Sequence, residues 1–368
     1  MSAFALYRLP YEDHFTIVEQ TDGEPVSLSS CAELNGQSGF VVAPFHLTEK
    51  EPLLLIRADR VETVEMGTKS PMGPISLISP IEPISSPKSS PQALRAAYHI
   101  DFANYHAHLL SGDFKKIVLA RSATIEATPR NVFDLFRDAC QRYPRMFIGL
   151  VSAPKCGTWL TATPEILLSN NGSQWQTMAL AGTMKLEGDD LNGEGENVMW
   201  STKNIQEQRY VATYITECLE QFTTDFNEYG PYTTRAGNLV HLRSDFTFSL
   251  PDEQHLGDVL RTLHPTPAVC GLPKRQTFDF ILHNEHSSRR YYSGFMGPLL
   301  LQTSTQLPNP SGRGLPSTHL YVSLRCMEIF SDGYQLYAGG GLLNDSAEEQ
   351  EWQETEAKME TMRNLIIH

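Results

Sequence analysis

Apolar positions along this chain come mostly in short blocks separated by polar turns, the spacing of strands rather than of long helices. Gly39–Ala43 and Leu53–Arg57 are runs of the kind that fill buried strands. Further strand patterns lie at Lys116–Ile125, Arg145–Ser152, Trp159–Thr163, Glu165–Leu168, Trp175–Gly182 and Leu239–Phe248. Leu94, Tyr98, Phe102, Tyr105 and Leu109 instead recur every three or four residues, which predicts a helix from Pro91 to about Ser111. Helices are also predicted near Asn131–Arg142, Thr202–Phe222 and Leu256–Leu263. A last helix opens at Ser346, where Ser346-Ala347-Glu348-Glu349 reads as a capping box. Three stretches read as loops: Pro80–Pro91, rich in proline and serine, acidic Asp189–Glu196, and polar Ser304–Ser317. Strands mostly follow strands without a βαβ rhythm or an internal repeat, so the expected class is α+β with antiparallel sheets.

Bulk properties narrow the function classes. A chain of 368 residues holds a large core, in one big domain or two. Its formal net charge of -14 argues against a nucleic-acid binder, which needs a basic face. The same charge means that an anionic ligand needs local help from basic residues or a metal. The six cysteines stand singly, with no CxxC pair, so neither a zinc ribbon nor a thioredoxin-like motif is present. No window approaches the roughly 18 apolar residues of a membrane span, and Met1–Arg8 lacks a leader pattern. A soluble cytoplasmic protein is expected, with a monomer as the default state.

Five features carry candidate chemistry. On a strand, period two puts Lys116 with Val118 and Ala120, and Arg121 with Ile117 and Leu119. Both faces are apolar, so at least one of the two cations is drawn inward, and a lysine withdrawn from water can act as a general base. The commoner alternative is a strand-edge lysine in water beside Lys115. Glu165 enters an apolar strand, where a carboxyl can donate a proton, although a solvent-facing glutamate is the ordinary case. Glu207 falls in line with Val211, Tyr214, Cys218 and Phe222 along a helix, and a carboxylate on an apolar stripe needs a partner or a metal. A glutamate in the polar first turn of that helix is the equal alternative. His264 opens a rigid loop, His264-Pro265-Thr266-Pro267-Ala268-Val269-Cys270-Gly271-Leu272-Pro273, that suits a pocket wall, although a lone histidine is more often structural than catalytic. Lastly, Tyr321–Lys358 ends one strand in Arg325, runs a second into Gly339-Gly340-Gly341, and follows with Glu351, Glu354 and Lys358 on one helix face. Those parts can hold a small anion, though Glu354 and Lys358 are also a common i,i+4 ion pair.

Taken together, Lys116–Arg121, Ala162–Leu168, Ala179–Thr183, Ser201–Gln208, His264–Pro273, Arg325 and Ala338–Lys358 resemble the chorismate-utilising enzymes in order and spacing, and among them the isochorismate synthases most closely. The resemblance covers roughly Tyr98 to Leu365. It implies a single chorismate-binding domain over residues 1–368, with 1–95 a variable N-terminal part and 98–365 the catalytic region. Its fold would be two large, mainly antiparallel sheets packed as a sandwich with helices outside. The resemblance further implies that Lys116 is the base activating water for attack at C2 of chorismate and Glu165 the acid protonating the departing C4 hydroxyl. Glu207 and Glu354 would hold Mg²⁺, and Gly182, Thr183, His264, Tyr292, Arg325, Gly339, Gly341 and Lys358 would line the substrate. Anthranilate and aminodeoxychorismate synthases lack the base lysine, so Lys116 argues for water as nucleophile and against a glutaminase partner. A salicylate synthase, or a non-catalytic paralogue that binds chorismate, are the alternatives. The product would enter menaquinone or siderophore synthesis.

Four departures from the family pattern stand out. Its usual Ala-Gly-Ala-Gly is here Ala338-Gly339-Gly340-Gly341, expected to loosen a loop, and the proline that usually follows is missing from Asn344–Ala347. Arg290 stands where an acidic or small residue is common, and Ser304–Ser317 reads as an added loop.

Overall fold

The strand-rich pattern condenses into two sheets. The computed structural model describes residues 3–67, 90–171, 174–186, 193, 198–250, 255–302 and 316–366. The three expected loops lie largely outside them. The chain opens with six strands: β1 (Ala3–Arg8), β2 (His14–Gln20), β3 (Val26–Leu28), β4 (Gly39–Ala43), β5 (Leu53–Ile56) and β6 (Arg60–Glu65). Next come α1 (Pro91–Leu110), β7 (Lys116–Glu126), α2 (Val132–Arg142), β8 (Phe147–Ala153), β9 (Gly157–Thr163), β10 (Ile166–Asn171) and β11 (Gln174–Lys185). Then follow α3 (Thr202–Leu219), β12 (Phe226–Ala236), β13 (Leu239–Phe248), α4 (Leu256–Leu263), β14 (Gly271–Leu272) and α5 (Lys274–Asn284). The chain closes with β15 (Phe295–Leu299), β16 (Thr318–Val322), β17 (Cys326–Ile329), β18 (Gly333–Leu342) and α6 (Glu348–Ile366).

Among the described residues each sheet has nine strands. The first runs β14-β7-β18-β17-β9-β8-β1-β2-β6 and the second β12-β13-β11-β10-β16-β15-β4-β5-β3. The ladders are antiparallel, as the alternation of strand and turn requires. The sheets pack face to face through an aromatic layer. Tyr7 of β1 and Phe147 of β8 meet Phe40 of β4 and Tyr321 of β16, and Phe147 stacks on Tyr321 at 4.3 Å between centroids. The outer face of the first sheet is covered by α2 and α6, and that of the second by α3 and α4. Helices α1 and α5 cover the β7 end through Ile117, Leu119 and Leu342.

Two expectations near the C-terminus are corrected. The triple glycine is not a loop: Gly339, Gly340 and Gly341 lie inside β18, paired with Ala120, Leu119 and Val118 of β7. Ser346 does not cap α6 either, because its hydroxyl accepts the Leu343 N–H at 3.0 Å and the helix starts at Glu348. The elements without a sequence signal include β12 and α5. In β12 just Ala236 is buried, so it shows no apolar alternation, and α5 has just Thr277 and Ile281 buried.

Candidate active site

A cleft lies where the ends of the two sheets face each other. From the first sheet β7 supplies Val118 and β18 supplies Ala338, Gly339 and Gly341, while from the second β11 supplies Leu180–Thr183 and β13 supplies His241. The β9–β10 link adds Glu165, the β16–β17 link Arg325, α3 Glu207 and α6 Lys358, and Tyr292 and Val269 close the wall.

Lys116, the first residue of β7, is fully buried, so the solvent-facing alternative does not apply. Its Nζ lies 3.0 Å from Glu207 Oε1, one layer behind the cleft surface. Glycine makes this approach possible: a Cβ at Gly341 would sit 2.1 Å from Glu207 Oε1 and 2.9 Å from Lys116 Cε. The other Glu207 oxygen accepts the Gly182 N–H at 3.2 Å. Gly182 has φ +71° and forms a bulge in β11, where the β13 register shifts between Ala181 and Thr183. Burial pushes the Glu207 carboxyl up, but Lys116, with Lys358 and Lys203 further off, outweighs it, and the net shift is downward. Glu207 is therefore an anion.

Glu165 behaves in the opposite way. Its backbone is fixed by an N–H to Thr163 Oγ1 at 3.2 Å and a carbonyl that accepts Val322 N–H at 3.0 Å. Burial pushes its carboxyl up to about 8, against the pull of Lys116, Lys358 and Arg325. At neutral pH this side chain holds a proton.

Helix α6 brings carboxylates to the other side of the glycine run. Glu354 pairs with Lys358 at 2.6 Å, and Lys358 Nζ also donates to Gly339 O at 2.8 Å. One turn earlier Glu351 is buried in an ion pair with Lys203 of α3. A Cβ at Gly340 would lie 3.1 Å from Glu351 Oε2 and 3.8 Å from Glu354 Oε1. Carboxylates from two helices thus crowd Gly340 and Gly341, an all-oxygen set that suits a hard divalent cation. Among the described residues no three candidate ligands form a ready-made cage, so such an ion would complete its shell with water and ligand.

At the far end of the cleft stands the cation Arg325, buried and with φ +46°. Burial pushes its pKa down to about 10, which leaves it a cation at neutral pH. It donates to Ala236 O at 3.0 Å and to His241 Nε2. His241 Nδ1 in turn lies 3.0 Å from Gly182 O, an acceptor, so the proton sits on Nδ1 and Nε2 accepts from the guanidinium. Burial, then Arg325 and Lys358, push its pKa well below the ordinary value and keep the imidazole neutral.

Comparison with known proteins places this arrangement. Residues 79–367 match the family model described as chorismate binding enzyme. The chain belongs to that family. It is similar to isochorismate synthase MenF of Escherichia coli K12, 30% identical over 263 residues that cover 70% of this chain and 57% of that protein. It is also similar to isochorismate synthase DhbC of Bacillus subtilis 168, 30% identical over 268 residues, 70% of this chain and 64% of that protein. The chain thus spans less than two thirds of the length of both relatives. The solved structure of a putative 2,3-dihydroxybenzoate-specific isochorismate synthase, DhbC of Bacillus anthracis, superposes with a TM-score of 0.78. It covers 99% of this chain and 96% of that one at 20% identity, a likeness of fold.

In this chorismate binding enzyme, nine of the twelve site positions expected from sequence line the cleft: Glu165, Gly182, Thr183, Glu207, Tyr292, Arg325, Gly339, Gly341 and Lys358. Lys116 and Glu354 stand directly behind it, each paired with one of those residues. His264 does not join them. Its ring packs edge-on against Phe295 at 5.1 Å and lines a separate cavity, and burial pushes its pKa down to about 3. From its loop it is Ala268 and Val269 that reach the cleft, and the cleft's histidine is His241. Sequence reading passed over His241, whose signal is a lone imidazole amid the apolar β13 run Leu239-Val240-His241-Leu242.

Proposed function

We propose that this chain is an isochorismate synthase, a hydroxymutase that isomerises chorismate by adding water at C2 and losing the C4 hydroxyl. The observation that carries the reading is a buried carboxyl, Glu165, kept protonated at neutral pH in one cleft with an ionised Glu207 held by a buried lysine. Two carboxyls with opposite protonation states give separate acid and metal-binding roles.

Chorismate is a dianion, and Arg325 and Lys358 are the cleft cations that meet its carboxylates. Mg²⁺ held by Glu207 and Glu354 would neutralise the ring carboxylate and fix the ring. Lys116 and Lys358 pair with those two glutamates, and a metal held there would take the place of both lysines. On parting from Glu207, Lys116 would release its ammonium proton to solvent and, as the neutral amine, take a proton from water as the oxygen bonds to C2. The ring double bonds shift, the C4–O bond breaks, and Glu165 delivers its proton to the leaving hydroxyl. One water enters and one leaves, so the net change is an isomerisation. The product is suited to menaquinone or catechol siderophore synthesis.

Incubating the purified protein with chorismate and Mg²⁺ tests the reading, with isochorismate as the expected chromatographic product. Fluorescent salicylate in its place would assign a salicylate synthase, and unchanged chorismate would leave a binding paralogue.

A further inference from the structure

A second cavity lies behind the loop that closes the cleft, and its lining is unlike that of the cleft. It encloses about 440 Å³, in the range of small-molecule pockets. Phe45, Leu47, Pro265 and Phe278 give it apolar walls, and Phe45 and Phe278 meet at 5.2 Å between centroids. Arg261, Lys274 and Arg275 line the same space, and no carboxylate does. In a chain with a formal net charge of -14 this is a local concentration of cations.

The three cations are not equivalent. Lys274 Nζ is fully engaged, donating to Tyr214 Oη at 2.7 Å, Thr262 O at 2.9 Å and His264 O at 3.0 Å. Arg261 pairs loosely with Asp258 at 3.3 Å. Arg275 is exposed and has no ion pair among the described residues, so its guanidinium is free for a ligand. It also stands in the first turn of α5, which has no side-chain cap, and the helix dipole adds to the positive field there.

We propose that this cavity binds a small amphipathic anion, an aromatic carboxylate in chemical class, with its ring against the wall that Phe45 and Phe278 form and its charge at Arg275. The loop between the two cavities gives the site a consequence. His264 and Pro265 line the second cavity, while Ala268 and Val269 line the cleft. Lys274 holds one end of this loop at His264 O, and Arg289 Nη1 holds the other at Val269 O, 2.6 Å away. A ligand that moves Pro265 therefore acts on a cleft wall a few residues on, an effect that rests on the proposed reaction.

The test uses the full chain and anilinonaphthalene sulfonate as a fluorescent probe, displaced by naphthoate or by its neutral analogue naphthylmethanol. Saturable binding is expected, with naphthoate weakened about tenfold or more by Arg275→Glu while naphthylmethanol is unaffected. Phe278→Ala should weaken both. Equal naphthoate binding by wild type and Arg275→Glu, or simple competition between naphthoate and chorismate, would overturn the site. The coupling is read separately, as a shift in KM for chorismate under saturating naphthoate that Arg275→Glu abolishes. An unchanged KM overturns the coupling, and the fluorescence result decides the site even if the protein turns over no chorismate.

Discussion

Replacing Glu165 with glutamine keeps the shape of the side chain and removes its titration, so it isolates one charge. In the folded chain burial holds this carboxyl at about 8, against 4.5 for an ordinary glutamate. As pH rises the unfolded chain releases the proton first, so wild-type stability falls from about pH 4.5 to about pH 8 and then levels off. One pKa unit is worth about 1.4 kcal/mol, which makes the whole fall about 5 kcal/mol, with about 3 kcal/mol of it between about pH 6 and pH 9. The variant lacks this slope. Its amide NH₂ lacks a built partner, at a cost of about 1–3 kcal/mol. Glu165→Gln should therefore match wild type near pH 6 and be more stable by about 2–4 kcal/mol near pH 9. Urea unfolding followed by tryptophan fluorescence at the two pH values measures this. In the same variant chorismate turnover should drop by about 10²–10⁴-fold, and wild-type kcat/KM should fall above about pH 8 as Glu165 ionises. Parallel stability curves for the two proteins would mean that Glu165 is already ionised in the fold, and the acid role would fail with it.

Lys116→Ala breaks a buried pair and leaves Glu207 without its nearest cation, so we expect a loss of about 3–5 kcal/mol in urea together with loss of turnover. Near-normal rates in that variant would remove the base assignment. Gly341→Ala places a Cβ 2.1 Å from Glu207 Oε1, and calorimetric Mg²⁺ titration should then show at least a loss of about tenfold in affinity. His241→Phe removes the acceptor that orients Arg325, and KM for chorismate should rise about tenfold with a smaller change in kcat. Chelation should abolish turnover and added Mg²⁺ restore it; activity that survives chelation would leave Glu207 and Glu354 without a metal role.

Most of the core was legible because strands buried on one or both faces write themselves as apolar blocks. β13 and α4 fall on Leu239–Phe248 and Leu256–Leu263, as the pattern predicts. The edge strand β12 was not legible, because exposed strands carry no alternation, and its Gly230-Pro231 reads as a turn. At the site, Lys116, Glu165 and Glu207 each had an ordinary surface reading that local sequence could not reject. What rejects it is long-range packing: Glu207 reaches Lys116 across a glycine of β18, and nothing near residue 116 announces residue 341. His241 and His264 show the same limit. Both are lone histidines beside apolar residues, and the sheet register, which sequence does not display, turns one of them into the cleft.

The pairing of β7 with β18 also bears on how the chain is made. Arg121 and its partner Ala338 lie more than two hundred residues apart, and α6, which carries Glu354 and Lys358, follows later still. Contacts of such high sequence separation form slowly. On a ribosome the strand bearing Lys116 therefore waits for β18 and α6 to emerge before the cleft exists. A nascent or C-terminally truncated chain would present β7 as an open sheet edge, the kind of surface that chaperones shield and that aggregates when they do not.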